Sequence, residues 1–230
     1  KRTEGQGALT QGGTAWECLA VWYLNFVFWG TEVIATRHNK KFVPETIRNS
    51  IAVTIDSQTT NSESDVLVFS VPGVLPAQAT IKDIDFVVSQ NLSDVEVGVV
   101  QLKTNWNDNS QIPMLWDIVY NSYNIGGNRI DGITVGREGV SPQHFGRFTY
   151  SFMTVPTTNL PKANQVRVAR VKGMSGGNYW GRPTQSQIAQ SFKEYFGVNF
   201  GNYFKAGVLN HIKNNLEADE SYLARFLNLR

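Results

Sequence analysis

The chain of 230 residues is long enough for one large domain or, at most, two small ones. Its 21 Lys and Arg against 19 Asp and Glu give a net charge of +2, which excludes a basic field over the whole surface but permits a local basic groove. The single cysteine excludes an internal disulfide framework and a zinc site built from several cysteines. The apolar stretch at residues 19–29 is too short for a membrane helix of ~20 residues, so no membrane association is expected.

The N-terminal segment predicts a flexible arm followed by a helix. Residues 1–13 are rich in Gly and Gln, which suits an arm. Thr14 followed by Glu17 has the spacing of a capping box. Residues 16–29 then predict a nearly all-apolar helix, buried on most sides and ended by Gly30.

Strands are predicted next, at residues 32–36, 51–55 and 65–71. A basic, polar segment from Arg37 to Asn49 separates the first two. The third has the composition of a strong strand, with five apolar residues among its seven, three of them Val.

The middle of the chain holds one ambiguous segment between clearer ones. Residues 78–92 place Ile and Val at helical spacing, although residues 85–88 could also form a strand, and the helix is preferred. Residues 95–102 predict a strong strand, and residues 112–120 an amphipathic helix entered through Pro113.

The C-terminal half mixes loops, strands and helices. Loops are predicted at 121–147 and 173–181, strands at 148–155 and 165–171, and helices at 184–197, 203–216 and 219–228. With no repeat and no linker, the order of elements predicts a single α/β domain, a central mixed β-sheet flanked by helices with a helical C-terminal part.

The stretch from Val95 to Trp106 carries the strongest chemical signal. Side chains alternate along a strand, so Gln101 and Lys103 share one face at the end of an apolar strand. A Lys that emerges from such a strand is costly unless it is paired or functional. A strand-end Lys that simply reaches solvent is the alternative.

Two carboxylates can converge with this pair. Asp65 lies at the mouth of a strand, and Glu17 lies on the first helix. Their oxygens and the Gln101 carbonyl are hard donors of the kind that Mg²⁺ prefers, while Lys103 could orient or help to deprotonate water, or stabilise charge at a phosphate. The plainer interpretations are a helix cap for Glu17 and a strand-start residue for Asp65.

This arrangement resembles the PD-(D/E)XK nuclease superfamily, whose fold is restriction-endonuclease-like. The likeness covers residues 14–120 and depends on Glu17 in TAWECLAVW, Asp65 in SESDVLVFSV, and Gln101 with Lys103 in GVVQLKTNW. Gln101 replaces the commoner acid, and the distance in sequence from Asp65 to Gln101 is longer than usual. Asp85 is therefore a rival metal acid if residues 81–88 form a strand, and Asp65 is preferred if they form a helix.

The resemblance implies a Mg²⁺-dependent endonuclease, with Mn²⁺ able to substitute, that hydrolyses phosphodiester bonds of double-stranded DNA. Asp65, Gln101 and Glu17 would hold the metal and Lys103 would assist the water. Residues 121–230 would complete the sheet and supply DNA-contacting loops and C-terminal helices. Candidate DNA-binding residues, drawn from the clusters of basic and amide side chains, are Lys40, Lys41, Asn105, Asn107, Asn178, Tyr179 and Arg182.

A type II restriction endonuclease, acting as a homodimer in a prokaryotic cytoplasm, is the function that the resemblance favours. The alternatives are an Mrr-like or repair nuclease of low specificity and a non-catalytic binding module on the same fold. The sequence contains neither a P-loop nor a G-x-G-x-x-G motif after a strand, so no nucleotide cofactor is expected.

Overall fold

The computed structural model describes residues 2–60, 64–76, 78–103, 111–124, 130–154, 176–180, 196 and 199–218. The helices, here α1 to α5, are Arg2–Phe28, Glu45–Ser50, Ile81–Gln90, Gln111–Asn124 and Val208–Ala218. The strands, β1 to β8, are Val33–Arg37, Val53–Ile55, Gln58–Thr60, Val66–Ser70, Glu96–Lys103, Ile133–Val135, Arg147–Thr154 and Gly176–Trp180.

The main sheet has the strand order β1-β4-β5-β7-β8. Strands β1, β4 and β5 are antiparallel neighbours, whereas β7 joins β5 in parallel and β8 joins β7 in parallel. A parallel pair needs a crossover connection, and α4 lies in the chain between β5 and β7. A second, antiparallel sheet has the order β3-β2-β6. The predicted α/β class with a mixed sheet is thereby confirmed.

The main sheet is covered on both faces, which explains why β4 is buried along its whole length. Alternate residues such as Leu67 and Val99 pack with α2, α3, α4 and the second sheet, on what we call the α4 face. The intervening residues, such as Val68 and Val100, pack with α1 and with Phe196, Phe200 and Phe204, on what we call the α1 face. Gly98 belongs here, because a Cβ would lie 3.1 Å from the Phe200 ring.

Helix α1 is longer and less buried than predicted. It begins at Arg2, so the expected arm at residues 1–13 is helical, and Thr14 lies inside the helix rather than at its cap. Extending a helix already held by packing adds one bond for each residue fixed, which costs far less than starting a new one. Among the side chains of α1 that the structure describes, from residue 12 onward, the buried ones lie on one side, at Ala20, Leu24, Val27 and Phe28. No helix in the described ranges has both the length and the apolarity to cross a membrane.

The ambiguous segment forms helix α3. Thr80 caps it, because its hydroxyl accepts from the Asp83 N–H while the Asp83 carboxylate accepts from the Thr80 N–H. This reciprocal cap, together with the apolar stripe that packs Ile84 and Val88 on the core, stabilises the helix over a strand.

Two strands of the C-terminal half were predicted as loop. The segment 121–147 contains β6, which pairs with β2, and the segment 173–181 contains β8, which pairs with β7. Each is short and lies in or beside a stretch rich in Gly and Asn, and its partner strand supplies the hydrogen bonds that define it, which a local pattern does not reveal. The expected strand at 165–171 and the helix at 219–228 lie outside the described residues, as does 184–197 except for Phe196.

Candidate active site

Asp65 and Gln101 meet across the neighbouring strands β4 and β5. Val66 pairs with Val100, so Asp65 is opposite Gln101 one position further along. The Gln101 amide Nε2 donates to Asp65 Oδ2 at 2.6 Å, and the Leu102 backbone N–H donates to the same oxygen at 2.7 Å. Charge-assisted bonds of this length hold the carboxylate in one orientation.

The other end of the Gln101 amide is also occupied. Gln101 is buried, and its Oε1 accepts from the Tyr150 hydroxyl at 3.4 Å. The Tyr150 ring stacks on Tyr120 with centroids 5.9 Å apart, so it is itself fixed by packing. The amide therefore presents its nitrogen, not its oxygen, to Asp65.

Lys103 is the last residue of β5, two positions beyond Gln101, and its backbone pairs with Thr154 of β7. Asp65, Gln101 and Lys103 thus belong to the same end of the sheet, where β4 begins and β5 and β7 end. The structure describes the backbone of Lys103 and not its side chain.

Glu17 is held by an ion pair on the α1 face. Its Oε2 accepts from Arg37 Nε at 2.7 Å and lies 2.7 Å from a terminal nitrogen of the same guanidinium. Arg37 ends β1 and alternates with Val33 and Ala35, which pack against α1. Asp65 and Gln101 alternate with Leu67 and Val99, which pack on the opposite, α4 face. The structure therefore does not bring Glu17 to Asp65.

Asp85, the rival acid, lies on α3 and serves another element. Its Oδ1 accepts from the Thr46 N–H at 2.8 Å, in the first turn of α2. A carboxylate at a helix N-terminus accepts from an otherwise unpaired N–H and interacts favourably with the positive end of the helix dipole. This contact explains Asp85 structurally and separates it from the Asp65 and Gln101 pair.

Two further features border the candidate site. The His38 backbone N–H donates to the Asp65 carbonyl oxygen at 3.1 Å, and His38 Nδ1 shares a hydrogen bond with the Ser64 hydroxyl. Burial lowers the pKa of His38 below its ordinary value; a hydrogen bond with the Ser64 backbone opposes this in part, and the positive charge of Arg48 adds a smaller lowering. His38 is thus favoured in its neutral form.

The side chains at the site offer part of what a metal ion needs as ligands. Asp65 provides a hard anionic oxygen, and a carboxylate has about four acceptor positions, so hydrogen bonds to Oδ2 are compatible with coordination. Gln101 would have to turn its amide over to offer oxygen, which the Tyr150 hydroxyl permits because it can accept as well as donate. Across the described part of the chain, no three His, Cys, Asp or Glu side chains converge as metal ligands.

The predicted DNA-binding residues fall into three groups. Lys40 and Lys41 are exposed in the turn after β1, and Lys40 lines a cavity beside His38. Asn178 and Tyr179 lie in β8, whose backbone alone is described. Asn105, Asn107 and Arg182 lie outside the described residues.

Three residues that were not predicted as site residues from the sequence lie near the site, namely His38, Arg48 and Arg137. Two basic segments, 37–48 and 129–147, are visible in the sequence. Nothing in a local pattern shows that they meet. Their convergence depends on the pairing of β2 with β6.

Comparison with known proteins leaves the family undecided. A scan against protein-family models gave no match. A search of the curated proteins gave no significant match either.

Proposed function

We propose that this protein is a Mg²⁺-dependent DNA endonuclease of the PD-(D/E)XK type and, within that type, a type II restriction endonuclease. The observation that carries the proposal is the pairing of Asp65 with Gln101 at the strand end where Lys103 also lies. The order of elements adds support: α1 is followed by antiparallel strands, then β5 with Gln101 and Lys103, then α4.

Each residue has a defined task in this proposal. Asp65 is the anionic ligand, and Gln101 with the Leu102 N–H fixes its orientation. Bound Mg²⁺ would supply Lewis-acid stabilisation of charge at the scissile phosphate and activate water. Lys103 orients that water or stabilises the charge of the phosphate. Glu17 has no role at the metal in this proposal, because it is paired with Arg37 on the α1 face.

A non-catalytic DNA-binding module is the second candidate. Two observations favour it: Glu17 is engaged with Arg37 on the α1 face, and the Gln101 amide nitrogen is directed at Asp65. An ammonium or amide group beside a carboxylate stabilises its charge without a metal. The same fold could then bind DNA and leave it intact.

Incubation of the purified protein with plasmid and phage DNA tests these candidates. Cleavage that requires Mg²⁺ or Mn²⁺ and stops with a chelator is expected for the nuclease. Discrete fragments would indicate a type II enzyme, and a smear would indicate a nuclease of low specificity. Binding without cleavage over a range of divalent metals would favour the module. Light scattering of the free protein and of its DNA complex tests the proposed homodimer.

A further inference from the structure

A cavity of about 400 Å³ lies beside the candidate site. Its described lining consists of basic side chains, small polar side chains and short apolar ones, and no acid is among these residues. The polar lining is His38, Lys40, Arg48, Thr59, Thr60 and Arg137. We call this cavity the basic pocket.

Four separate segments build the basic pocket. His38 and Lys40 follow β1, Arg48 lies on α2, Thr59 and Thr60 lie on β3, and Arg137 follows β6. Because β6 pairs with β2, the two basic segments of the sequence come together around one opening.

The guanidinium of Arg137 is held in place by a network. Its Nε donates to Asn49 Oδ1 at 2.5 Å, and Asn49 Nδ2 donates to Glu138 Oε2 at 2.7 Å. The Arg137 backbone N–H also donates to the Asn49 carbonyl oxygen at 3.1 Å. One edge of the guanidinium is used to fix its position. Among the described residues, no carboxylate forms an ion pair with it.

Arg48 has an unsatisfied donor. Its Nε is buried and has no hydrogen-bond partner within the described residues. Its one ion pair there is with Glu45 at 3.9 Å, and the Glu45 side chain is 61% exposed, so solvent screens that contact. A buried N–H without an acceptor costs free energy, but 26% of the Arg48 side chain is exposed, so the charge of its guanidinium remains available to attract an anion in the pocket.

The basic pocket adjoins Asp65 on the α4 face. Ile51, which lines the pocket, belongs to the same core as Leu67 and Val99. His38 connects the two places, since it lines the pocket and its backbone N–H donates to the Asp65 carbonyl oxygen. A ligand that entered the pocket would therefore extend toward Asp65.

We propose that the basic pocket binds a phosphate group of the nucleic-acid strand whose neighbouring phosphodiester lies at Asp65. Arginine presents planar, charged donors that match phosphate oxygens. Nucleic acid as the source of that phosphate rests on the proposed function, whereas the affinity of the pocket for a phosphate group does not.

The test is equilibrium binding of a short fluorescent DNA duplex in Ca²⁺, a usual non-cleaving substitute for Mg²⁺, over a series of salt concentrations. Arg48→Gln and Arg137→Gln should each weaken binding by about tenfold or more, because each removes a charged hydrogen bond. The slope of log K against log salt should fall by about 0.9 for each lost phosphate contact. Lys213→Gln, on the exposed surface of α5, is the control and should change neither quantity.

Lys40→Gln is a pocket variant that should fold normally, because Lys40 is exposed and its replacement does not disturb the core. It should also weaken binding and reduce the salt slope. Unchanged affinity and slope in all three pocket variants, with normal circular dichroism, would overturn the proposal.

Competition distinguishes the sources of the phosphate. One duplex carries a 5′-phosphate and the other a 5′-hydroxyl. If both bind with equal affinity, and the variants weaken both equally, the pocket holds an internal phosphate. A preference for the 5′-phosphate that the variants abolish indicates a terminal one. If the pocket substitutions weakened the binding of inorganic phosphate but left DNA affinity unchanged, the assignment of nucleic acid as the ligand would be overturned.

The outcomes also separate this proposal from the nuclease proposal. Weakened DNA binding in the pocket variants of a protein that cleaves nothing would support the pocket and contradict the nuclease. Metal-dependent cleavage with pocket variants of normal affinity would support the nuclease and contradict the pocket.

Discussion

Gln101 faces Asp65 across β4 and β5 and donates to it from its amide nitrogen, at 2.6 Å. Gln101→Glu would replace this donor with a second carboxylate in a buried position. Without metal, we expect the free energy of unfolding to fall by about 1–3 kcal/mol, because a buried hydrogen bond is lost and two like charges meet. Ca²⁺ should bind the variant more tightly than wild type and restore its stability.

Calorimetry with Ca²⁺ and thermal melting check this prediction. Gln90→Glu, on the exposed side of α3, is the matched control and should change neither. If free wild-type protein bound Ca²⁺ tightly and Gln101→Glu made no difference, Gln101 would not be at a metal. Positive coupling between Ca²⁺ and DNA in wild type is also expected, and linkage requires it to be reciprocal.

Lys103→Ala should reduce the cleavage rate by about 100-fold or more, because Lys103 is assigned to the chemical step. DNA affinity should stay within about twofold, since phosphate contacts elsewhere supply most of it. Single-turnover cleavage and equilibrium binding measure the two effects, with Lys213→Ala as the control. Cleavage by Lys103→Ala at the wild-type rate would refute the site.

Asp65 and Asp85 are expected to respond in different ways. Asp65→Asn should eliminate metal-dependent cleavage, because it removes the anionic ligand. Asp85→Ala should lower the free energy of unfolding by about 1 kcal/mol and leave the chemical step unchanged, because it removes the acceptor at the start of α2. Cleavage assays and denaturant titrations separate the effects. Loss of cleavage in Asp85→Ala with activity retained in Asp65→Asn would reverse the assignment.

Glu96 gives a prediction that depends on pH. Burial raises its pKa above the ordinary value of 4.5, although the Phe200 N–H and the Arg147 charge oppose this. The folded state then holds the proton more tightly than the unfolded state, so the contribution of Glu96 to stability is lost as pH rises through its folded pKa. Relative to Glu96→Gln, wild type should gain stability as the pH is lowered from about 8 to about 5.

Denaturant titrations of wild type and Glu96→Gln at several pH values measure this difference. The amide that the substitution introduces keeps a carbonyl oxygen that can accept from the Phe200 N–H, so the comparison isolates the charge. A difference in unfolding free energy that stayed constant across the range would show that Glu96 titrates alike in the folded and unfolded chains.

Strand and helix patterns predicted much of this fold. Runs of Val indicated β4 and β5, and the spacing of Ile84 and Val88 favoured the helix at α3. Local patterns failed at β6 and β8, which are short and depend on their partners.

Some features of the candidate site could likewise be predicted from the sequence, and others could not. Alternation along two strong strands was enough to bring Asp65 toward Gln101. The pairing of Glu17 with Arg37 was not visible, because it depends on the face of the sheet against which α1 packs. The contact of the Gln101 amide with Tyr150 was not visible either, because Tyr150 belongs to a strand that follows much later in the chain.

The parallel pairing of β5 with β7 has a consequence for folding. Strands β1, β4 and β5 can pair as neighbours, but Glu96 meets Arg147 only after the crossover through α4 has closed. This connection is longer than those between β1 and β4 and between β4 and β5, so its closure carries the larger entropic cost of the three. We expect Tyr150 to reach Gln101 among the last steps, so that the Asp65 carboxylate gains its final surroundings only when the sheet is nearly whole. Amide hydrogen exchange during refolding would show late protection in β7.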